Sequence, residues 1–170
     1  FAAAIDLNTL DGTTGFRLDG IDVNDRSGNS VSSAGDVNGD GFDDVLIGAW
    51  RADPGGDVSA GESYVVFGKS GGFDAAIDLS TVDGMTGFRL DGIDASDFSG
   101  SSASSAGDVN GDGKADIVGF GASAVTVSLS SGTGFSEPEC WLCAGEYTPA
   151  QAHGWESFDL YPRALADVDG

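Results

Sequence analysis

The sequence predicts an all-β protein made of short antiparallel strands. The chain contains 28 glycines, and clusters of Asp, Asn, Ser and Gly separate short runs of Val, Ile and Phe. Such clusters form tight turns, whereas β-branched and aromatic runs suit strands. No amphipathic segment of helical length interrupts this pattern. Because hydrophobic residues make up 40% of the 170 residues, we expect a folded core rather than a disordered chain.

The charge of the chain limits its partners. There are 28 Asp and Glu residues against 7 Lys and Arg, which gives a formal net charge of -21. A field of this sign repels nucleic acid phosphates and anionic membrane surfaces and attracts cations. No apolar stretch approaches the roughly 20 residues that span a bilayer, and Phe1 is not followed by a charged and apolar leader. We therefore expect a mature or trimmed soluble piece, with no nucleic acid partner and no membrane insertion.

The chain repeats itself. Residues 1–41 align with residues 73–113 without gaps at an offset of 72, and 32 of the 41 positions are identical. The end of this unit, AGDVNGDG, begins again as ADVDG at residues 166–170. Repeats of this length indicate a stacked array of similar structural units.

Each repeat contains about four strand-like runs, which is the content of one blade of a β-propeller. A solenoid is the alternative, but its units are usually shorter and need fewer separate strands. The predicted strands are GFRL at 15–18, DVLIG at 44–48, SYVVFG at 63–68, DIVGF at 116–120 and AVTVSL at 124–129.

These strands predict two blades and parts of two others. We expect residues 1–29 to provide the outer strand of an incomplete blade, and residues 30–101 and 102–163 to form the two blades. Residues 164–170 begin a further blade. Because two blades cannot close a ring and bare strand edges invite aggregation, we expect other blades of a longer protein, or other chains by self-association, to complete the propeller.

The sharpest chemical signal is the pattern D-x-N-x-D-G-x-x-D, which occurs twice, at 36–44 and at 108–116. In a tightly coiled loop the side-chain oxygens of positions 1, 3 and 5 converge, position 7 offers its carbonyl, and Gly at position 6 permits the turn. The predicted Ca²⁺ ligands are Asp36, Asn38, Asp40, Phe42 and Asp44 in one loop, Asp108, Asn110, Asp112, Lys114 and Asp116 in the other, and Asp167 and Asp169 in the third copy.

Two related metal sites fit the pattern less well. An EF-hand places a Glu at position 12, where this chain has Ile47 and Gly119, and a helix where strands are predicted. Mg²⁺ prefers strict octahedral geometry and retains its waters. The alternative interpretation is that Asp, Asn and Gly are present only because they form turns. The repetition of the full nine-residue pattern argues against this interpretation. We expect Ca²⁺ to act structurally, by relieving repulsion between crowded carboxylates and joining two strands.

The residues AGDVNGDGFDDVLIGA at 34–49 and GESYVVFG at 61–68 resemble the FG-GAP repeats of the integrin alpha-subunit propeller and its bacterial relatives. The resemblance covers about the first 120 residues. It implies a seven-bladed propeller found outside the cell, with calcium sites on one rim. Such a module binds other proteins or mediates adhesion.

The second half of the chain is similar to the shorter repeats of bacterial VCBS-type proteins and of fungal integrin-like lectins. This resemblance implies an alternative function, sugar binding between adjacent blades by Trp155, Tyr161 and Arg163. Aromatic rings suit the apolar face of a sugar, and Arg supplies hydrogen-bond donors. The competing interpretation is that Trp155 and Tyr161 only fill the core between blades.

The remaining chemistry does not indicate catalysis. Cys140 and Cys143 permit a local disulfide, two packed thiols or a redox pair; half a zinc site would need a second Cys pair, and His153 is the only histidine. No nucleophile elbow and no phosphate-binding glycine loop occurs. A glycosidase needs two carboxylates placed across the sugar, a spacing that sequence does not show. We nevertheless expect a binding module and not an enzyme.

Overall fold

The computed structural model describes residues 4, 6–120, 124–134 and 139–143. It confirms the predicted fold class, because these residues form an all-β structure with four-stranded antiparallel sheets of the kind found in propeller blades. Short 3₁₀ turns lie at Leu7–Thr9, Pro54–Gly56 and Leu79–Thr81. The strands are β1 (Arg17–Asp19), β2 (Ser30–Gly35), β3 (Asp44–Ala49), β4 (Glu62–Val66), β5 (Ala76–Asp78), β6 (Gly87–Asp91), β7 (Ser102–Gly107), β8 (Asp116–Phe120), β9 (Ala124–Ser128) and β10 (Glu139–Cys143).

The first sheet has the strand order β2-β3-β4-β6, and every pairing in it is antiparallel. Its central strand β3 has the sequence DVLIGA, whose apolar side chains are buried on both faces of the sheet. Leu46 points into one hydrophobic cluster, whereas Ile47 points into the other. The continuous apolar run is explained by this burial, since a strand covered on both sides need not alternate with polar residues.

The second sheet repeats the first in the order β7-β8-β9-β10. The strands β8 and β9 begin at the residues where the sequence predicted strands, and β8 pairs with both of its neighbours in antiparallel register. The fourth strand, β10, carries Cys140 opposite Thr126 and Cys143 opposite Ala124. A bulge separates these two pairings.

The two sheets stack face to face. The first strands of the sheets lie side by side, because the Ser32 hydroxyl donates to the carbonyl of Ala103 at 3.0 Å and the Ala103 N–H donates to Ser30 Oγ at 3.2 Å. The core between the sheets combines Leu46 and Val65 of the first sheet with Ile117 of the second. Each sheet therefore buries a face on the other, as neighbouring blades do.

The other face of the first sheet is covered by a small parallel sheet of β1 and β5, in which Leu18 lies opposite Ile77. The sequence assigned residues 1–29 to the outer edge of an incomplete blade. In the structure β1 pairs with β5, a segment of the following repeat unit, and the assignment of residues 1–29 to an incomplete blade stays a prediction. No helix in the described residues has the length and apolar character needed to cross a membrane.

Candidate functional site

The two acidic loops occupy equivalent places in the two sheets. The first acidic loop (residues 36–44) connects β2 to β3, and the second acidic loop (residues 108–116) connects β7 to β8. Each follows a register shift in the preceding strand pair, at Gly35 and Gly107, whose φ angles of 72° and 73° are in the left-handed region. Glycine adopts this conformation without steric cost. The chain therefore turns out of the first strand at the same point in both repeats.

The first Asp of each loop organises the turn. Asp36 Oδ1 accepts from the N–H of Gly39 at 2.8 Å and of Asp40 at 3.0 Å, and its Oδ2 accepts from Gly41 at 2.9 Å. Asp108 makes the corresponding three bonds in the second loop, at 2.8, 3.0 and 2.7 Å. These bonds close the backbone around one carboxylate, so the sequence Asp-x-Asn-Gly-Asp-Gly folds into a compact coil.

The middle of the loop brings an amide and a second carboxylate together. In the first loop the Asp40 N–H donates to Asn38 Oδ1 at 2.9 Å, and Asn38 Nδ2 donates to Asp40 Oδ2 at 3.0 Å. The corresponding distances in the second loop, between Asn110 and Asp112, are 3.0 and 3.3 Å. Positions 3 and 5 are therefore adjacent in both loops, as the ligand pattern requires.

The last Asp of each loop is buried and fastens three segments together. Asp44 is 1% exposed; its two oxygens accept from the N–H of Val37 at 2.9 Å and of Gly68 at 2.8 Å. Asp116 is fully buried and accepts in the same way from Val109 and Ser130. The loop start, the beginning of the second strand and the end of the third strand are thus held at one carboxylate.

The charges of the loops act on one another. Burial raises the pKa of Asp44, and the nearby charges of Asp40 and Asp36 raise it further, although the N–H groups of Gly68 and Val37 oppose the shift. In the second loop the pKa of Asp108 is lowered, chiefly by the Gly113 N–H, and the positive charge of Lys114 acts in the same direction. The first loop therefore contains crowded negative charge, and the second has a cation beside it.

The first loop also rests on the second sheet. The Ala115 N–H donates to the carbonyl of Asp36 at 2.9 Å, and the hydroxyl of Ser130 donates to the carbonyl of Val37 at 2.5 Å. Ser130 is 3% exposed. The bonds join the start of one acidic loop to the loop and third strand of the next repeat, so the two loops are parts of one packed assembly.

The donor chemistry of the loops fits Ca²⁺. Within the described residues no three Asp, Glu, His or Cys side chains are arranged as a metal-holding group. The carboxylates of the loops accept backbone N–H bonds instead. A carboxylate has about four acceptor positions, and these bonds use three of them at Asp36 and two at Asp40. Hard oxygen atoms with spare acceptor positions remain available. The ammonium of Lys114 lies 3.7 Å from Asp112 Oδ2 of the second loop.

Comparison with protein families gives an independent result. The FG-GAP repeat model matches residues 27–66 and 99–128. The chain contains FG-GAP repeats. Each match includes an acidic loop and the first three strands of one four-stranded sheet. A comparison with curated proteins found no match.

FG-GAP repeats indicate an integrin-like β-propeller module, and they are typical of extracellular or cell-surface proteins. The structure supplies the architecture that this family needs, since each FG-GAP segment forms a four-stranded antiparallel sheet with a strand that follows it. The repeat family and the fold class predicted from the sequence are therefore confirmed.

Several predicted site residues lie outside the described part of the chain. These include the Asp167 and Asp169 pair of the third copy and the residues Trp155, Tyr161 and Arg163 predicted to bind sugar. The start of a further blade that the sequence predicts at 164–170 also lies outside the described residues. These predictions therefore stay predictions, as does the state of Cys140 and Cys143.

A buried polar cluster in the first FG-GAP sheet was missed by sequence reasoning. Glu62 is 5% exposed; the hydroxyl of Tyr64 donates to its carboxylate, and Arg89 Nη1 lies 3.4 Å from Glu62 Oε1. Burial raises the pKa of Tyr64 far above its usual range, and the bond to Glu62 adds to the shift. The cluster borders a cavity of about 550 Å³ that also contacts Asp25. The sequence signal that could have identified this cluster is the Glu at the start of the strand ESYVV.

Proposed function

We propose that this chain is a calcium-binding, extracellular β-propeller module for adhesion or protein binding, in which Ca²⁺ has a structural and not a catalytic role. The observation that supports this proposal most directly is the placement of the two acidic loops. Each joins the first two strands of a stacked sheet and closes on a buried Asp. An ion bound there would stabilise every repeat at the same position.

Five residues of each loop would hold the ion. In the first loop they are Asp36, Asn38 and Asp40 through their side chains, Phe42 through its carbonyl, and Asp44 through its carboxylate. Oxygen ligands of this kind suit Ca²⁺, which accepts six to eight of them in flexible geometry. Ca²⁺ would relieve the mutual repulsion of Asp36, Asp40 and Asp44, because a divalent cation neutralises carboxylates held close together.

The packing of the loops supports a structural role. The carbonyls of Asp36 and Val37 accept bonds from the second repeat, so the conformation of the first loop determines how the two sheets meet. Extracellular Ca²⁺ modules function with dissociation constants of about 10⁻⁴ to 10⁻³ M. Sites of that modest affinity would be filled outside the cell, where the family is typically found.

The partner is proposed to be an extracellular protein. A chain with a net charge of -21 binds most readily to a surface that offers positive charge or bridging cations. The loops that follow β2 and β7 lie at one end of the stacked sheets and place several carboxylates there. We propose that this loop-bearing end contacts the partner.

Thermal unfolding with and without Ca²⁺ tests the calcium proposal. At a Ca²⁺ concentration of about 100 times the dissociation constant, each filled site adds about 2.7 kcal/mol, and the Tm should rise by at least about 5 °C. Mg²⁺ at the same concentration is the control and should produce a much smaller rise. An unchanged Tm, together with no binding heat in calorimetry, would exclude the proposal.

A further inference from the structure

The two acidic loops differ at only two of their nine positions. Position 7 is Phe42 in the first loop and Lys114 in the second, and position 8 is Asp43 in the first and Ala115 in the second. The first loop therefore contains four negative side chains, whereas the second contains three negative side chains and one positive side chain. The Ca²⁺ affinity of such loops increases with the negative charge of their ligands.

Lys114 is held in place rather than free in solvent. Its side chain is 26% exposed. A Cβ atom added to Gly39 would lie 3.6 Å from Lys114 Cε, and one added to Gly132 would lie only 2.7 Å from the same atom. The aliphatic part of Lys114 is thus packed between the first acidic loop and the turn after β9, where two glycines leave room for it.

The Lys114 side chain passes Gly39 of the first loop, and its ammonium pairs with a carboxylate of the second loop. Lys114 Nζ lies 3.7 Å from Asp112 Oδ2, and the Lys114 N–H donates to Asp112 Oδ1 at 3.0 Å. In the first loop Phe42 makes the same backbone bond to Asp40 but adds no charge. The predicted ligand at position 7 is the carbonyl, which both residues possess. Their side chains therefore change the electrostatics of the loops without changing the ligand set.

We propose that Lys114 acts as a built-in counter-cation of the second acidic loop and lowers its affinity for Ca²⁺ below that of the first. The inference rests on the proposed function and extends it, because it assigns different affinities to two sites that have the same predicted ligand types. A bound Ca²⁺ would lie close to the ammonium, and like charges at short distance repel each other. The two loops would then fill in sequence, the first before the second.

The test uses the whole chain and follows each loop separately. The backbone amides of Gly41 and Gly113 bond to the first Asp of their loops, so their NMR signals report Ca²⁺ binding at each one. In titrations with Ca²⁺ at low salt we expect the Gly41 signal to respond at a concentration about 10-fold lower than the Gly113 signal. The variant Lys114→Gln should lower the midpoint at Gly113 by about 3-fold to 10-fold.

The reciprocal variant and a charge control make the test specific. Phe42→Lys should raise the midpoint at Gly41 by a similar factor. Arg51→Gln removes the same formal charge beyond the opposite end of β3 and should leave both midpoints within about 2-fold. Raising the salt concentration to about 1 M shortens the Debye length to about 3 Å. The Ca²⁺ midpoints at Gly41 and Gly113 should then differ less.

The outcomes separate this inference from the proposed function. If both glycines respond to Ca²⁺ but the Gly113 midpoint is unchanged in Lys114→Gln, the inference alone is overturned. It is also overturned if Lys114→Gln lowers the Gly41 midpoint more than the Gly113 midpoint. An equal decrease of the Gly113 midpoint in Arg51→Gln would also overturn the inference. The absence of any Ca²⁺ response at either glycine would overturn the proposed function, and the inference with it. Circular dichroism of each variant in chelator checks that the fold is retained.

Discussion

At the residue scale, the buried carboxylates Asp44 and Asp116 do more than offer metal ligands. Each accepts one backbone N–H bond from its own loop and one from the residues after the third strand of its sheet, and each is almost completely inaccessible to solvent. A charged acceptor shared by two N–H donors stabilises the fold even in the absence of an ion. The last Asp of the pattern therefore has a structural role that the other loop residues share only in part.

Asp44→Asn should lower the free energy of unfolding by about 1 to 3 kcal/mol in the presence of chelator. Asn accepts with one oxygen only, so its amide group would face the N–H of either Val37 or Gly68. This loss outweighs the relief of no longer burying a charge. Urea unfolding measures the change. The exposed neighbour Asp43→Asn is the control, and an equal loss in both variants would contradict the role assigned to Asp44.

At the element scale, close backbone contacts position the first sheet against the segment before β7. A Cβ atom added to Gly48 on β3 would lie 2.0 Å from the carbonyl oxygen of Gly100. The obstacle is backbone, so no side-chain rotation can relieve it. Strand β3 can approach this segment only because residue 48 has no side chain.

Gly48→Ala should destabilise the protein by about 3 kcal/mol or more, because the first sheet must move away from the residue 100 turn. The matched control is Gly134→Ala, where an added Cβ would meet nothing within 4 Å. Thermal and urea unfolding of the two variants give the comparison. Similar stabilities for both would show that the close approach at Gly48 is not required.

At the scale of the whole molecule, the stability of the array depends on the contacts between repeats. Stacked repeats are stabilised by each unit and by the interface with its neighbour. The hydroxyl of Ser130 in the second repeat donates to the carbonyl of Val37 in the first repeat. The Ser130 Oγ atom also accepts from the Gly132 N–H. Ser130 connects the two acidic loops through the interface, because its hydroxyl bonds to Val37 of the first loop and its backbone N–H donates to Asp116 of the second.

Ser130→Ala should cost about 1 to 3 kcal/mol, because it leaves the Val37 carbonyl buried without this donor. Hydrogen exchange at the amides of the first acidic loop should become faster, since the loop loses part of its support. Ser131→Ala is the control: its exposed hydroxyl bonds within its own turn, at 2.9 Å to the carbonyl of Gly134. Unchanged exchange at Gly39 and Gly41 in Ser130→Ala would contradict the proposed coupling.

Local patterns in the sequence determined the class of fold, the repeat unit and the boundaries of the acidic loops. Strand propensity depends on neighbouring residues, and a nine-residue turn motif closes on itself, so β3, β8 and β9 lie where they were predicted. The hydrogen bonds of Asp36 and Asp108 are likewise made to residues within their own loops. Such interactions can be read from the sequence because their partners are a few positions away.

Only the tertiary structure decided which distant segments meet. The parallel pairing of β1 with β5, the bond from Ser130 to Val37 and the ion pair of Arg89 with Glu62 join residues that are far apart in the sequence. The position of Lys114 against Gly39 belongs to the same group. These contacts depend on how two sheets stack, and stacking is set by the shapes of whole faces rather than by the order of residues along one strand.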